Sequence, residues 1–332
     1  MKISILVPVP VLRASAALPF AGLVRHSGAH RLWLGQGMVV DSYQVFTHLV
    51  AHQLGVPAGS GVALAPLRHP LDTAIQLNTV SALLDQPLVA GFGTGSRQFQ
   101  QDVLGRAWES PLTAMREYLM IVRGLLEGRE VDLDGRYFNA HAHLLSEVRA
   151  APVSLGLGVL RPRMAELAGE VADTAITWLA SPNYLADVIG PALDRGAERA
   201  GRDRPQITAV VPVAGARPGR DVREVLWNGS RAHLAGPHYR DMLRRGGAEL
   251  SDDPVRDAGL LLDHGVFVGG DEQDVLAGID RFEQAGVDEL VLNITGVGMG
   301  GIRPAVEEMV ALLTTLGLDR QPAAPAADGR AA

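Results

Sequence analysis

Two arginines flank a proline where an apolar run gives way to a helical pattern, in LGLGVLRPRMAELAGEVADT (155–174). Pro162 suits the first turn of a helix, because the backbone N–H that proline lacks would have no partner there. The free amides of that turn and the guanidinium groups of Arg161 and Arg163 could together bind an anion such as a phosphate. A second interpretation stays open, in which both arginines lie on a solvated helix turn.

Glycines occur in two earlier apolar runs, at points where a side chain would normally be expected. The run GSGVALAPLRHP (59–70) contains Gly61, and a later run ends in GFGTGS (91–96). Because glycine lacks a Cβ, the backbone there can bulge and approach a flat ligand closely. Gly61 could instead only relieve crowding inside the fold. GFGTGS could be a simple tight turn, since its spacing is not the G-x-G-x-x-G of a dinucleotide site.

The histidines do not form a recognisable metal site. His48 and His52 have the helical spacing of a metalloprotease motif, but the glutamate of that motif is replaced by Leu49. His141 and His143 have no third ligand at an obvious spacing, so we predict no metal. The chain has no cysteine, which excludes disulfides and thiolate catalysis.

Eight apolar runs of strand length alternate with stretches in which apolar residues recur every three to four positions. Strands that are apolar on both faces are typical of a parallel sheet that is covered on each side. The pattern predicts an α/β fold, a single (β/α)8 TIM barrel over residues 1–316, with an open doubly wound sheet as the alternative. The predicted strands are 3–8, 31–36, 57–64, 87–93, 152–157, 173–179, 207–214 and 289–294. The predicted helices are 42–54, 71–84, 112–126, 162–171, 184–200 and 274–284.

The two longest connections, 96–151 and 215–270, both follow strands. In a barrel they would form insertions at the C-terminal mouth, where active sites of this fold lie. Residues 317–332 are rich in alanine and proline and have nothing to bury, so we predict a disordered tail.

Charge and hydropathy narrow the possible partners. The net charge is −7 and the basic residues are not clustered, which disfavours nucleic acid as a partner. No apolar stretch is long enough to span a membrane. The first twenty residues loosely match a signal peptide, but Pro8 and Pro10 interrupt the apolar run, so we expect a cytoplasmic protein.

Six segments are recognisable together and in order. They are LWLGQ (32–36), GSGVALAPLRHP (59–70), PLVAGFGTGS (87–96), MREYLMIVRGLLEG (115–128), RPRMAELAGEVAD (161–173) and VGGDEQDVLAGIDRFEQAGVDELVL (268–292). The chain resembles the luciferase-like monooxygenase superfamily over residues 1–316, and more closely its branch that uses the deazaflavin coenzyme F420. No single segment is specific, but six in register are persuasive.

The resemblance implies a barrel with the cofactor ring at the C-terminal mouth. In such relatives a non-prolyl cis peptide in the third strand backs the ring, and the matching bond here is Gly61-Val62. Gly93 and Gly95 would line the cofactor. The loop 158–164 would hold its phosphate, with the residues Gly158, Arg161, Arg163 and Met164.

The resemblance also implies hydride transfer between the deazaflavin and a small-molecule or peptide substrate. Many relatives carry an acidic residue or histidine at the end of the second strand, whereas this chain has Gln36. Gln36 could polarise the substrate but cannot supply a proton. Water, His238 or Tyr239 would deliver it. With reduced cofactor the enzyme would reduce an activated C=C or C=N bond, in a biosynthetic setting.

Three alternatives stay open: an FMN-dependent monooxygenase of the same superfamily, a non-catalytic flavin-binding protein, and an unrelated aldolase-type barrel. The last would need a Schiff-base lysine, and the single lysine is Lys2 at the chain start. Relatives are commonly homodimers, so we expect a homodimer here. Whether Val45, Phe46, Leu83 and Leu84 face the barrel or a partner is left open by the sequence.

Overall fold

Eight parallel strands close into a barrel in the computed structural model, which describes residues 1–144 and 151–320. Strands that are consecutive in the barrel pair with each other, and the last strand closes the ring on the first. The predicted TIM barrel is thereby confirmed. The strands are β1 (Lys2–Leu6), β2 (Leu32–Leu34), β3 (Ala58–Leu64), β4 (Leu88–Gly93), β5 (Val153–Gly158), β6 (Thr174–Trp178), β7 (Gln206–Gly215) and β8 (Glu289–Asn293).

Helices surround the barrel and begin where the sequence supplies caps. Asp271, for example, caps a helix by accepting from the Asp274 amide at 3.0 Å, and Asp274 reciprocates. The long helices are Leu18–His26, Ser42–Ala51, Pro70–Leu84, Arg97–Leu104, Pro111–Leu126, Pro162–Val171, Gly190–Ala200, Val222–Leu234, Pro237–Arg245, Pro254–Asp263, Glu272–Gln284 and Ile302–Thr315. The short turns are Ala14–Ala17, Ala65–Leu67, Pro182–Tyr184, Leu185–Ile189 and Thr295–Gly298.

The two long connections contain structure that the sequence patterns did not resolve. The first includes a hairpin of Val131–Asp134 and Asn139–Ala142. The second contains three helices between residues 222 and 263, followed by a short strand, Val268–Gly270, which pairs with the end of β7. Two of these helices, Val222–Leu234 and Pro237–Arg245, contribute residues to the C-terminal mouth.

A polar cluster closes the N-terminal end of the barrel. The Glu289 carboxylate, only 2% exposed, accepts hydrogen bonds from Ser4 Oγ at 2.5 Å and Trp33 Nε1 at 2.7 Å. The Nε of buried Arg31 lies 3.4 Å from the same carboxylate. A buried carboxylate with this many donors is the arrangement that low-dielectric surroundings require.

Trp33 fills the middle of the barrel, where two glycines of β3 leave room for it. A Cβ added at Gly59 would lie 2.7 Å from the Trp33 ring, and one added at Gly61 would lie 3.1 Å from it. The missing side chain of Gly61 therefore faces the indole and not the mouth. The sequence left two explanations open for Gly61. The direction in which its Cβ would point agrees with the one that gives the glycine the role of relieving crowding inside the fold.

The C-terminal segment is packed a little further than predicted. The Gly28 amide donates to the Leu318 carbonyl oxygen at 2.8 Å, and the Leu318 side chain packs against the core. Leu318, which lies within the predicted tail 317–332, is therefore packed against the barrel. Residues 321–332 of that tail lie outside the described residues. Within residues 1–144 and 151–320, no helix combines the length and apolarity needed to cross a bilayer.

Candidate active site

A cavity of about 430 Å³, called the first cavity below, lies at the C-terminal ends of β3 to β6. Its volume falls within the range of small-molecule sites, which is roughly 300–1,000 Å³. The structure brings most of the predicted site residues to this cavity, and their roles stay predictions. Those that line it are Gln36, Gly61, Val62, Gly93, Gly95, Gly158, His238 and Tyr239.

Val62 forms the centre of the cavity floor. The register between β3 and β4 shifts between Ser60 and Ala63, and the Gly61–Val62 peptide is cis, as the resemblance implies. A Cβ at Gly93 would lie 2.6 Å from Val62 Cγ2, and one at Gly158 would lie 3.4 Å from Cγ1. These two glycines thus make room for the Val62 side chain.

The floor is completed by the apolar layer that fills the top of the barrel. Val62 and Trp178, both partly exposed, pack on the buried side chains of this layer, which include Ile176. Ile176 and Trp178 also line the first cavity. An apolar floor with glycine backbone beside it suits a flat ring, because a ring can stack on it without leaving a polar group unpaired.

The predicted anion loop after β5 is only partly directed to the cavity. Val159 and Leu160 line it, but Arg161, Arg163 and Met164 do not. The guanidinium of Arg161 pairs with Asp241 at 2.8 Å, and is therefore not a free anion ligand.

The first-turn amides after this loop differ in availability. The Met164 amide donates to the Arg161 carbonyl oxygen at 3.0 Å, so it is used within the turn. Arg161 is the N-cap residue and gives no side-chain cap to this helix. Of the groups that were predicted to bind an anion, the backbone amides at the helix start, including that of Arg163, are left available by this geometry.

An inserted helix, Val222–Leu234, contributes His233 to the wall of the cavity. It packs closely against the turn that follows β8. A Cβ at Gly229 would lie 2.5 Å from the amide nitrogen of Gly296. His233 lies one helical turn after Gly229, on the same face. Its ring stacks on Trp178, with centroids 5.0 Å apart and an interplanar angle of 24°.

Tyr239 joins two histidines into one cluster. Its ring lies 5.4 Å from that of His233 and 4.7 Å from that of His238. Burial lowers the pKa of His233, with the nearby His238 adding to the effect. Burial and the positive charge of Arg161 lower the pKa of His238, while burial raises the pKa of Tyr239. At neutral pH both imidazoles are therefore uncharged and the phenol is protonated.

A family model places the chain in a known family. The model described as luciferase-like monooxygenase matches residues 6–289. The chain belongs to the luciferase-like monooxygenase family. The resemblance inferred from the six segments is confirmed at this level.

Sequence relatives of this luciferase-like protein include reductases and dehydrogenases. It is 27% identical over 274 residues to 5,10-methylenetetrahydromethanopterin reductase of Archaeoglobus fulgidus, covering 80% of each chain. The enzyme of that name from Methanolobus tindarius is 28% identical over 199 residues, which span 60% of this chain and 59% of the relative. An F420-dependent glucose-6-phosphate dehydrogenase of Nakamurella multipartita is 28% identical over 187 residues, 54% of this chain and 51% of the relative.

Solved structures of more distant proteins share the fold. An F420-dependent secondary alcohol dehydrogenase in complex with an F420–acetone adduct has a TM-score of 0.71 at 18% identity, covering 94% of this chain and 98% of that chain. The coenzyme F420-dependent tetrahydromethanopterin reductase of Methanopyrus kandleri has a TM-score of 0.70 at 19% identity, covering 93% and 98%.

Two residues that line the first cavity were not predicted from the sequence, Trp178 and His233. Trp178 could have been found, because it ends a barrel strand at the C-terminal face, where such residues are typically functional. His233 lies on a helix whose pattern was not recognised. The Nε1 of Trp178 and the Nδ1 of His233 are buried and without a hydrogen-bond partner in the part of the chain that the structure describes.

Within the described ranges, no group of three histidine, aspartate or glutamate side chains is arranged to hold a metal ion. His141 does contact Asp132 at 2.5 Å and Asp134 at 3.1 Å on the exposed hairpin, but both of its ring nitrogens are used in these direct hydrogen bonds.

Gly229→Val is expected to lower the free energy of unfolding by about 1–3 kcal/mol, the usual cost of overpacking. The new side chain would meet the Gly296 backbone, so the helix that carries both Gly229 and His233 would have to shift away from the turn Thr295–Gly298. Urea denaturation measures the loss. Gly259→Val is the matched control, because a Cβ there would only reach ordinary contact, 3.8 Å from Arg223. Equal stability of the two variants would contradict the close helix crossing.

Proposed function

We propose that this luciferase-like protein is a coenzyme F420-dependent oxidoreductase that transfers a hydride between the deazaflavin and an organic substrate. In the reductive direction it would reduce an activated C=C or C=N bond, as in a biosynthetic tailoring step. The observation that carries the proposal is the apolar floor of Val62, Ile176 and Trp178 beneath the first cavity. The F420-dependent enzymes among the relatives support the choice of cofactor.

The residues present fit a deazaflavin. Val62 would back the ring, and the backbone at Gly93, Gly95 and Gly158 would border it without side chains in the way. The helix start at Arg163 would face the negatively charged part of the cofactor. When bound, the deazaflavin supplies a carbon that gives or accepts a hydride.

The protein's own groups would orient the substrate and handle the charge that develops on it. Gln36 donates from Nε2 to the Gly37 carbonyl oxygen at 2.8 Å, at the edge of the first cavity, and could turn to donate to a substrate. Tyr239 also lines the cavity, and its hydroxyl, kept protonated at neutral pH because burial raises its pKa, could be a second donor. Donors placed at a developing negative charge in a dry site are effective catalysts. His238, whose pKa is lowered by burial and by the charge of Arg161, would exchange the proton with solvent.

The cofactor is tested with the full chain by calorimetric titration with F420 and with FMN, followed by turnover assays without oxygen. We expect F420 to bind and its reduced form to be oxidised when an activated alkene or imine is added. Retention of FMN with oxygen-dependent product formation would instead identify an FMN-dependent monooxygenase. Tight cofactor binding without turnover of any such compound would identify a non-catalytic flavin-binding protein.

Tyr239→Phe is expected to lower kcat by about 10²-fold, the lower end of what a positioned acid contributes. The variant removes the hydroxyl and retains the ring that contacts both histidines. Steady-state kinetics check the effect. Tyr137→Phe is the matched control, because its hydroxyl accepts from the Ser110 amide at 2.8 Å outside the cavity. An unchanged kcat in Tyr239→Phe would remove this tyrosine from the proposal.

We also propose a homodimer, as expected from the resemblance. Val45, Phe46 and Leu84 are buried within the protomer, so they do not face a partner. Leu83 is 49% exposed and Ile75 is 48% exposed, both on the helix Pro70–Leu84. This exposed helix surface is the part of the protomer that we propose as the dimer interface. Sedimentation equilibrium of the full chain measures the oligomeric state.

A further inference from the structure

A second cavity, of about 370 Å³, occupies the other half of the barrel mouth. It lies at the C-terminal ends of β1 and β2 and beside Thr295, which follows β8. Gly35, Gln36, Trp178 and His233 line both cavities and form the wall between them. A molecule in the second cavity would therefore reach the edge of whatever lies in the first.

The wall of the second cavity is apolar apart from a few uncharged polar groups. Its main surface is formed by aliphatic side chains, among them Val7, Val9, Val11, Leu34, Val40 and Val45. No aspartate, glutamate, lysine or arginine of the described chain lines it. A phosphate or carboxylate placed there would be desolvated without an opposite charge, which is costly. His233 does not change this, because burial lowers its pKa and leaves it uncharged at neutral pH.

The rim of the second cavity is apolar as well. Leu12, Met38, Val39 and Met299 are exposed, with Met38 at 72%. They lie on the loops that follow β1, β2 and β8. Leu12, Met38 and Val39 each adjoin a lining residue in the chain, and Met299 lies four positions after Thr295. Large apolar side chains grouped around one opening are unusual on a protein surface and typically mark a site that binds apolar molecules.

We propose that the second cavity binds an uncharged, largely apolar substrate, and that Gln36 and His233 hold its one polar group at the boundary with the first cavity. The aliphatic walls take the hydrocarbon part, and the shared wall supplies hydrogen bonds. His233 has an unused hydrogen-bonding atom for this, since its Nδ1 is buried and has no partner within the described residues, and a turn of the ring would present that atom to the cavity. The substrate class rests on the proposed function, because only a cofactor in the first cavity makes the occupant of the second a substrate.

The test uses a matched pair of probes, octan-2-one and the charged analogue 7-oxooctanoate, titrated calorimetrically into the full chain without cofactor. We expect octan-2-one to bind at least about tenfold more tightly, because the analogue must bury a carboxylate. Val40→Asp and Val11→Asp, both at half-buried positions that tolerate a charge, should each weaken octan-2-one binding about tenfold or more. The affinity for F420 should change less than twofold in both variants.

His233→Phe and Gln36→Leu test the shared wall. Each should weaken octan-2-one binding about tenfold, the worth of one good hydrogen bond, and leave the binding of octane unchanged. Equal or tighter binding of 7-oxooctanoate, or no effect of Val40→Asp and Val11→Asp, overturns the inference even if F420 binds. Failure of F420 to bind, with octan-2-one still bound as described, overturns the proposed function while leaving the apolar site in place.

Discussion

Gly93→Val is expected to weaken cofactor binding about 100-fold, or about 2.8 kcal/mol, while the barrel stays folded. A Cβ at this position would lie 2.6 Å from Val62 Cγ2, so the new side chain must push Val62 upward or project into the cavity itself. Either result destroys the flat floor on which the ring would lie. Calorimetric titration with F420 measures the loss.

The matched control for this change is Gly22→Val. A Cβ at Gly22 would meet nothing within 4 Å, and the residue lies on the helix Leu18–His26, which does not contribute to the cavity. This variant should bind F420 as the unsubstituted protein does. Binding of unchanged affinity in Gly93→Val would show that the ring does not lie over Val62.

Glu289→Ala should lower the free energy of unfolding by about 3–5 kcal/mol, the usual cost of breaking a buried charge pair. Arg31 would be left as a buried cation without its partner, and the Trp33 indole and the Ser4 hydroxyl would lose their acceptor. Burial already lowers the pKa of Arg31, and Glu289 opposes that effect. Urea denaturation followed by circular dichroism measures the change.

Glu283→Ala provides the comparison for that loss. Glu283 is exposed and pairs with the N-terminal amine at 2.5 Å, so its removal should cost about 1 kcal/mol or less. A similar effect of the two substitutions would mean that the Glu289 cluster does not stabilise the closed end of the barrel.

The barrel could be predicted because the segments that have a strand or helix pattern in the sequence are also the segments that form its strands and helices. β7, for example, is a run of buried and mostly apolar residues, and this pattern indicates a buried strand from the sequence alone. The helix Val222–Leu234 could not be predicted in the same way. Its fully buried positions are Leu226, Ser230 and Leu234, a single narrow stripe with a serine in the middle. Such a helix is held by its contacts with the mouth and carries little periodic signal of its own.

The site was partly predictable for a related reason. Glycines at strand ends stand out in a sequence, and Gly93 and Gly158 do lie at the cavity. What each glycine makes room for depends on residues far away in the chain, such as Trp33 for Gly61 and Val62 for Gly93. The pairing of Trp178 with His233 depends on a contact between β6 and an inserted helix, 55 positions apart by their residue numbers. No spacing rule reaches across that distance.

Trp178 makes the protein its own optical probe. The chain has four tryptophans, and this indole borders both cavities, whereas Trp33 is sealed inside the barrel. Intrinsic emission should therefore respond to a molecule in either cavity through one fluorophore. Trp178→Phe should silence that response and leave the other three emitters as an internal reference.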